Sequence, residues 1–434
     1  MRGERVAVVG GSIAGCAAAR ALVRAGAGEV VVLERATGRL QDRGVGLALQ
    51  RERYAELEAA GYLDAAMPWV ELTRRPWVVR AGDARAGREI AALPFPYRSY
   101  NWGSLWQELR RRLPDEVDYR AGAAVARVLP EPDGARIVLA DGGEERFDLV
   151  VGADGHRSVV RAAMLPPGSS AARYGGYAAW RGTLPVRQLP EPSSAFPAED
   201  ATTVVFPGGH MIAYRIPGPA GEPQVNWVFY ATPPETATSA LADPETPPSR
   251  ELTEALTGFQ HELVERHFPG YWRDVVLGTP KEGTLLQPIY DMAAPSYTRG
   301  RLVLLGDAAA IARPHTGSGA LKALQDATVL GRALATADHL MEGLAAYDAE
   351  RAPVGRAILE LGRSLGRAHV QRTPDWASMD QPAFDTWWVA NGGGGVGGRP
   401  LGSGDGSSQG TSGVPSRRTA ETGRLGRVDA TDPA

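Results

Sequence analysis

Two uninterrupted apolar runs stand near the start of the chain, Val6-Ala7-Val8-Val9 and Val30 to Leu33. Runs of that length without alternation read as strands buried on both faces. Between them, Ile13 to Ala25 places small and apolar residues at helical spacing, so the chain opens on a βαβ unit. Helical patterns recur at Arg51 to Ala60 and Leu105 to Arg112, and Phe147 to Val151 is strand-like after an Asp141-Gly142-Gly143 turn. Beyond the turn Pro166 to Ser170 the texture changes. Tyr177 to Pro185, Thr202 to Pro217 and Gln224 to Tyr230 are aromatic and β-branched runs separated by Gly and Pro, which predicts a mostly antiparallel sheet. Trp77 to Arg80 adds a strand to it, and a helix over Glu251 to His267 closes the region. A last apolar run, Leu302 to Leu305, leads through Gly306-Asp307 and Gly317-Ser318-Gly319 into another helical pattern.

The pattern therefore predicts an α/β fold in which a Rossmann-like domain (1–70, 98–166 and 285–390) receives an inserted antiparallel-sheet domain (71–97 and 167–284). Residues 391–434 contain no aromatic residue and are dominated by Gly, Ser, Thr and Arg. Such a composition buries too little apolar surface to offset its ordering entropy, and a disordered tail is expected.

Composition narrows the classes of function. At 434 residues the chain exceeds one small core. A net charge of −3 offers no field for nucleic acid or for an anionic membrane. The uncharged stretch Val6 to Ala19 is well short of the roughly 20 residues that span a bilayer. The single cysteine, Cys16, excludes an internal disulfide and fits a reducing cytoplasm. No His, Cys and Asp residues fall at metal-ligand spacing, so no metal is expected.

Three loops carry the chemistry. Gly10-Gly11-Ser12-Ile13-Ala14-Gly15 joins the first strand to the first helix, with Ser12 where the dinucleotide fingerprint has its second Gly. Glu34 ends the next strand, where a carboxylate accepts hydrogen bonds from the hydroxyls of an adenosine ribose. A pyrophosphate would lie over the N–H groups of the helix start. Asp154-Gly155 follows the strand-like run, with Arg157, Ser158 and Arg161 opening a helix. In the third loop Gly306-Asp307 ends a strand, and Pro314 to Gly319 brings backbone N–H groups to a helix start.

In this order the three loops resemble the class A FAD-dependent aromatic monooxygenases, of the p-hydroxybenzoate hydroxylase-like fold, over nearly the whole chain up to about residue 390. Gly209 to Gly218, Tyr177 to Gly182, Arg313-Pro314-His315, Lys322-Ala323 and Asp326-Ala327 are similar to the 2,6-dihydroxypyridine hydroxylase branch. The resemblance implies one FAD, held by Gly10, Ser12, Gly15, Glu34, Arg35, Asp154, Gly306, Asp307, Pro314, Gly317, Ser318 and Gly319, with a mobile-flavin loop at Arg43, Gly44 and Gly46. The second domain would then take the substrate. NADPH or NADH would dock transiently as reductant, and O2 would form a C4a-hydroperoxyflavin that hydroxylates an electron-rich phenolic or (hetero)aromatic ring. A homodimer is compatible with this reading. The chain departs from other branches at Leu321, Ser318 and Trp102, where Asn, Gln and Arg are common.

A ring attacked by an electrophilic oxygen reacts best as its phenolate, so a base titrating near neutrality suits the site. His210, in the predicted sheet, and His315, in the third loop, are the candidates. Tyr214, four residues beyond His210, shares its strand face. His156, His261, His267, His339 and His369 are read as surface or turn residues. A flavin halogenase is disfavoured because no Lys precedes Lys281. Epoxidation or rearrangement of a polycyclic ring, and a non-catalytic FAD-binding protein, share the same motifs.

Overall fold

The computed structural model describes residues 3–38, 46–166, 168, 171–218 and 221–391. The expected loop residues Arg43 and Gly44, and all but the first residue of the expected disordered tail, lie outside the described residues. The first sheet has six strands in the order Thr298–Arg299, Leu302–Leu304, Leu149–Gly152, Arg5–Val9, Glu29–Glu34, Val117–Ala121. All its pairings are parallel except the short edge pair, Thr298–Arg299 with Leu302–Leu304. The continuous apolar runs follow from this: Val6, Val8, Val31 and Val150 are all fully buried, in one core with the helices and with Val128, Ile137 and Phe147. The helices Ile13–Arg24 and Gly319–Thr336 pack together against one face.

The second sheet has nine strands, in the order Ala310–Ile311, Thr284–Ala293, Arg173–Pro185, Pro223–Ala231, Gly209–Pro217, Thr202–Phe206, Val70–Val79, Arg88–Asn101, Gly46–Gln50. It is antiparallel except where Thr202–Phe206 runs parallel to Val70–Val79. Three of its strands, Gly46–Gln50, Thr284–Ala293 from Leu285 onward and Ala310–Ile311, come from segments expected in the nucleotide domain. The sheets are thus stitched together by chain that changes sheet. A three-stranded meander (Val125–Glu131, Gly134–Leu139, Glu144–Phe147) was not anticipated. It corrects the single run Phe147 to Val151, which divides at Asp148 between two sheets. Among the described residues no helix is long and apolar enough to cross a membrane.

The third loop is fixed by a buried ion cluster. Asp326, with no exposed surface, accepts from the Gly306 N–H at 3.0 Å, from Lys322 Nζ at 2.6 Å and from Arg351 Nε at 2.7 Å. Lys322 Nζ also donates to the Gly306 carbonyl at 3.1 Å. Helix Gly319–Thr336 supplies the Asp and Lys, and helix Leu340–Gly366 the Arg. Removing one member leaves uncompensated charge in the interior. Asp326→Ala is expected to lower the unfolding free energy by about 3–5 kcal/mol in urea titration. A loss below about 1 kcal/mol, the worth of an exposed pair, would show that the cluster holds nothing in place.

Candidate active site

The strand ends of the first sheet and one face of the second enclose a cleft of about 910 Å³. At one end lies the first loop. Gly10 has φ +99°, and a Cβ there would sit 2.5 Å from the Ala153 carbonyl oxygen, so only glycine fits. Gly15 brings the helix against the loop: its Cβ would fall 1.8 Å from the Gly10 oxygen. Ser12, at φ −78°, needs no left-handed backbone, which explains why serine stands in the glycine position. Glu34 closes the loop from below, its carboxylate accepting from Gly11 N at 2.7 Å and Ala36 N at 2.8 Å. The Gly11 carbonyl accepts from Trp106 Nε1, Tyr119 Oη and the Cys16 thiol. Burial pushes that thiol up to about 12, so Cys16 stays protonated.

Helix Ile13–Arg24 has neither a side-chain cap nor an acidic residue in its first turn, and the same holds for helix Gly319–Thr336. Both starts face the cleft through Ser12, Ser318 and Gly319. Two unneutralised helix N-termini at one cavity suit an anionic, elongated ligand. Arg35 and Asp307 are exposed to the cleft, and Asp307 has no ion-pair partner among the described residues. Asp154 also lines it, but its Oδ2 caps helix Val159–Met164 through Val159 N at 2.7 Å, so part of its work is structural. Pro314 and Gly317, the latter at φ +62°, form the turn before the second helix start. Gly46 donates its N–H to Asn226 Oδ1 and opens the strand that borders the cleft.

The other lobe is aromatic. His210 and Tyr214 enter it from one strand face, with Ile212 between them and Tyr230 beside them. His210 stacks on Tyr230 with centroids 4.8 Å apart, and His315 lies 4.4 Å from the same ring. Tyr177 Oη is 2.7 Å from His315 Nε2. The loop bearing His315 is anchored by Arg313, whose Nε donates to Asp291 Oδ2 at 2.7 Å, while Arg363 holds the other oxygen.

Two expectations are corrected here. His369 is no surface residue: it is buried on the five-residue π-turn Arg367–Gln371, with its ring 5.3 Å from that of His210. Second, the chain does bring imidazoles to ligand spacing, since nitrogens of His210, His315 and His369 lie within 4.8 Å of one another. His315 Nδ1 and both nitrogens of His369 lack a hydrogen-bond partner. His156 and His261 are exposed, as expected.

Nor does His210 titrate near neutrality. Burial, with the Arg75 guanidinium adding to it, pushes its imidazole down to about 3. Burial does the same to His315 and His369, with neighbouring imidazoles and Arg75 contributing. The His210 ring nitrogen Nδ1 lies 3.3 Å from the His369 carbonyl, which can only accept. The geometry assigns the proton to Nδ1 and leaves Nε2 as an acceptor.

Comparison with known proteins places this geometry. A family profile described as "FAD binding domain" matches residues 257–361, and one described as "FAD binding domain-like" matches 174–276. The chain is 31% identical to an aurachin C monooxygenase/isomerase of Stigmatella aurantiaca, over 80% of this chain and 85% of that one. It is likewise 31% identical to a 3-amino-4-hydroxybenzoate 2-monooxygenase of Streptomyces cremeus, covering 88% and 91%. The solved structure of 2,6-dihydroxypyridine-3-hydroxylase from Arthrobacter nicotinovorans superposes with a TM-score of 0.73 at 26% identity, over 87% of this chain and 96% of that one.

The neutral histidines make stability depend on pH. Below about 6.5 the unfolded chain takes up protons that the buried imidazoles refuse, so stability falls as pH drops from about 6.5 towards 3 and these groups contribute no slope above it. Melting temperatures between pH 5 and 8 should show this fall. In His369→Phe the slope between pH 5 and 6 should be smaller by about 1.4 kcal/mol per pH unit. Equal slopes would mean that His369 is protonated in the folded protein.

Proposed function

The chain belongs to the FAD-dependent aromatic monooxygenases, and from that premise we propose that it hydroxylates an electron-rich phenolic or N-heteroaromatic ring in the lobe lined by His210, Tyr214, Tyr230 and His315. One observation carries the reading: a single cleft joins two uncapped helix starts to an aromatic lobe in which imidazole lone pairs are unclaimed. FAD, reduced by NAD(P)H, supplies the activated oxygen when bound. The residues present fit it. Gly10, Ser12, Gly15 and the first helix start would hold the pyrophosphate, and Glu34 and Arg35 the adenosine end. Gly306 and Asp307 would hold the ribityl chain, and Pro314, Gly317, Ser318 and Gly319 the pyrimidine edge, where N–H groups favour negative charge.

The remaining work falls to the chain's own side chains. His210, neutral and a weak base, orients a ring hydroxyl by accepting its hydrogen bond at Nε2 rather than by removing the proton. Tyr177 sets the His315 ring through the 2.7 Å contact. Tyr214 and Tyr230 wall the ring and exclude water. A single, buried cysteine fits a reducing compartment and supports a cytoplasmic enzyme.

Purified yellow protein, given NADPH or NADH and a panel of phenols and hydroxypyridines under 18O2, should yield a product carrying one labelled oxygen. Hydrogen peroxide as the sole oxygen product across the panel would sink the proposal. Asp307→Ala should fold but lose its flavin absorbance, and full FAD occupancy would remove Asp307 from the cofactor site. His210→Asn should lower coupled product formation up to about 10²-fold, the scale of a 1 Å misplacement. Its pH profile between 6.5 and 8 should not change, because the His210 imidazole is already neutral throughout that range. A profile that moves would restore His210 as a titrating base.

A further inference from the structure

The aromatic lobe is electrically lopsided. Arg75 and Arg181 line it, whereas the acidic side chains of the cleft wall among the described residues, Glu34, Asp154 and Asp307, stand at the strand ends of the first sheet. Of the other buried guanidinium groups among the described residues, Arg313 pairs with Asp291, Arg351 pairs with Asp326, and Arg161 donates to the carbonyls of Ala308 and His156. Arg75 is different. Its Nε donates to Thr203 Oγ1 at 2.9 Å, and its plane lies 4.8 Å over Trp77 and 5.9 Å from Phe95 and Trp388. Among the described residues Nη1 and Nη2 make no hydrogen bond, and no carboxylate pairs with the group.

A guanidinium keeps its charge in such surroundings: burial brings Arg75 down only to about 10. The uncompensated cation therefore stands in the lobe at neutral pH, and its field helps to hold the three imidazoles neutral. Those histidines cannot serve as counter-charge to an anion, nor does a lobe carrying Arg75 favour a metal cation. Arg181 is spent on Gln287 and bears on Tyr214 and Tyr230 instead.

We propose that Arg75 anchors the substrate, and that the substrate is a hydroxylated aromatic ring bearing a carboxylate, paired with the free edge of this guanidinium while its hydroxyl meets the imidazole nitrogens. The proposal rests on the lobe being the substrate site of the monooxygenase. A carboxylate fits better than a phenolate for two reasons. It is already ionised at neutral pH, and its two oxygens match the two Nη groups of a guanidinium held over Trp77. Recognition of the acid at one end and of the hydroxyl at the other fixes which ring carbon meets the activated oxygen.

The test uses the FAD-loaded enzyme and matched probes: hydroxybenzoates and hydroxypyridine carboxylates, each beside its carboxamide. Binding is read from the perturbation of the flavin spectrum. The wild-type protein should bind at least one acid about 10- to 100-fold more tightly than its amide, the worth of a charge-assisted bidentate contact. Arg75→Met, which keeps the length of the stem, should abolish that preference, and Arg75→Lys should restore part of it. Flavin content of each variant reports whether the cofactor site persists. If neither variant folds, the wild-type ratio and its weakening by salt still decide. No acid preferred over its amide, or a preference surviving in Arg75→Met, overturns the anchor. Labelled product from a neutral phenol alone would overturn the anchor and leave the monooxygenase reading intact, whereas acid preference without labelled product would strike that reading.

Discussion

Asp326 is a carboxylate with no access to water, and most of the cleft depends on what it holds. It ties the backbone of Gly306 to two helices through Lys322 and Arg351. The Gly306-Asp307 turn leaves the first sheet and the short strand Ala310–Ile311 enters the second, so this one cluster sets how far the helix start at Gly319 stands from the strand that carries His210. A buried ion cluster gives little net stability compared with apolar side chains, but it tolerates few alternative arrangements. That trade suits a place where a loop must be held to within a fraction of an ångström.

The cleft divides its charges by position. Carboxylates gather at the strand ends of the first sheet, where helix starts and a sugar-bearing cofactor can meet them. The second sheet offers guanidinium groups and His210, which burial holds neutral together with the neighbouring His315 and His369. An imidazole that cannot charge is a fixed acceptor, with a geometry independent of pH over the physiological range. The lobe thus presents permanent cations and several neutral lone pairs.

How much of this was legible depends on how local each piece is. The first loop and Glu34 could be read because strand, turn, helix and carboxylate are contiguous, and each has its own pattern. His210 and Tyr214 were found through strand alternation, which the structure repeats. His369 was missed because it lies 159 residues from its partner His210, on a π-turn that continues a long helix without a break in the apolar pattern. Arg75 was hidden in a chain where nearly all 47 basic residues are arginine, and what sets it apart, an aromatic wall and a single Nε bond to Thr203 among the described residues, is a matter of packing. The meander before Leu149 did leave a signal, Asp133-Gly134 and Asp141-Gly142, two hairpin-type turns at short spacing. The apparent basicity of His210 could not be judged from sequence at all, since burial sets it.

The last described helix, Gln381–Ala390, packs behind His369, which lines the aromatic lobe. Its Trp387 and Trp388 lie 5.2 and 5.9 Å from His369, and Phe384 lies 4.8 Å from Trp77. The first loop leaves the ribosome well before this helix. A nascent chain can therefore assemble its parallel sheet once Leu302–Leu304 has emerged, while the aromatic lobe still stands open to water. Vectorial synthesis imposes an order on the enzyme: the nucleotide half can mature before the chamber that shields the substrate is closed.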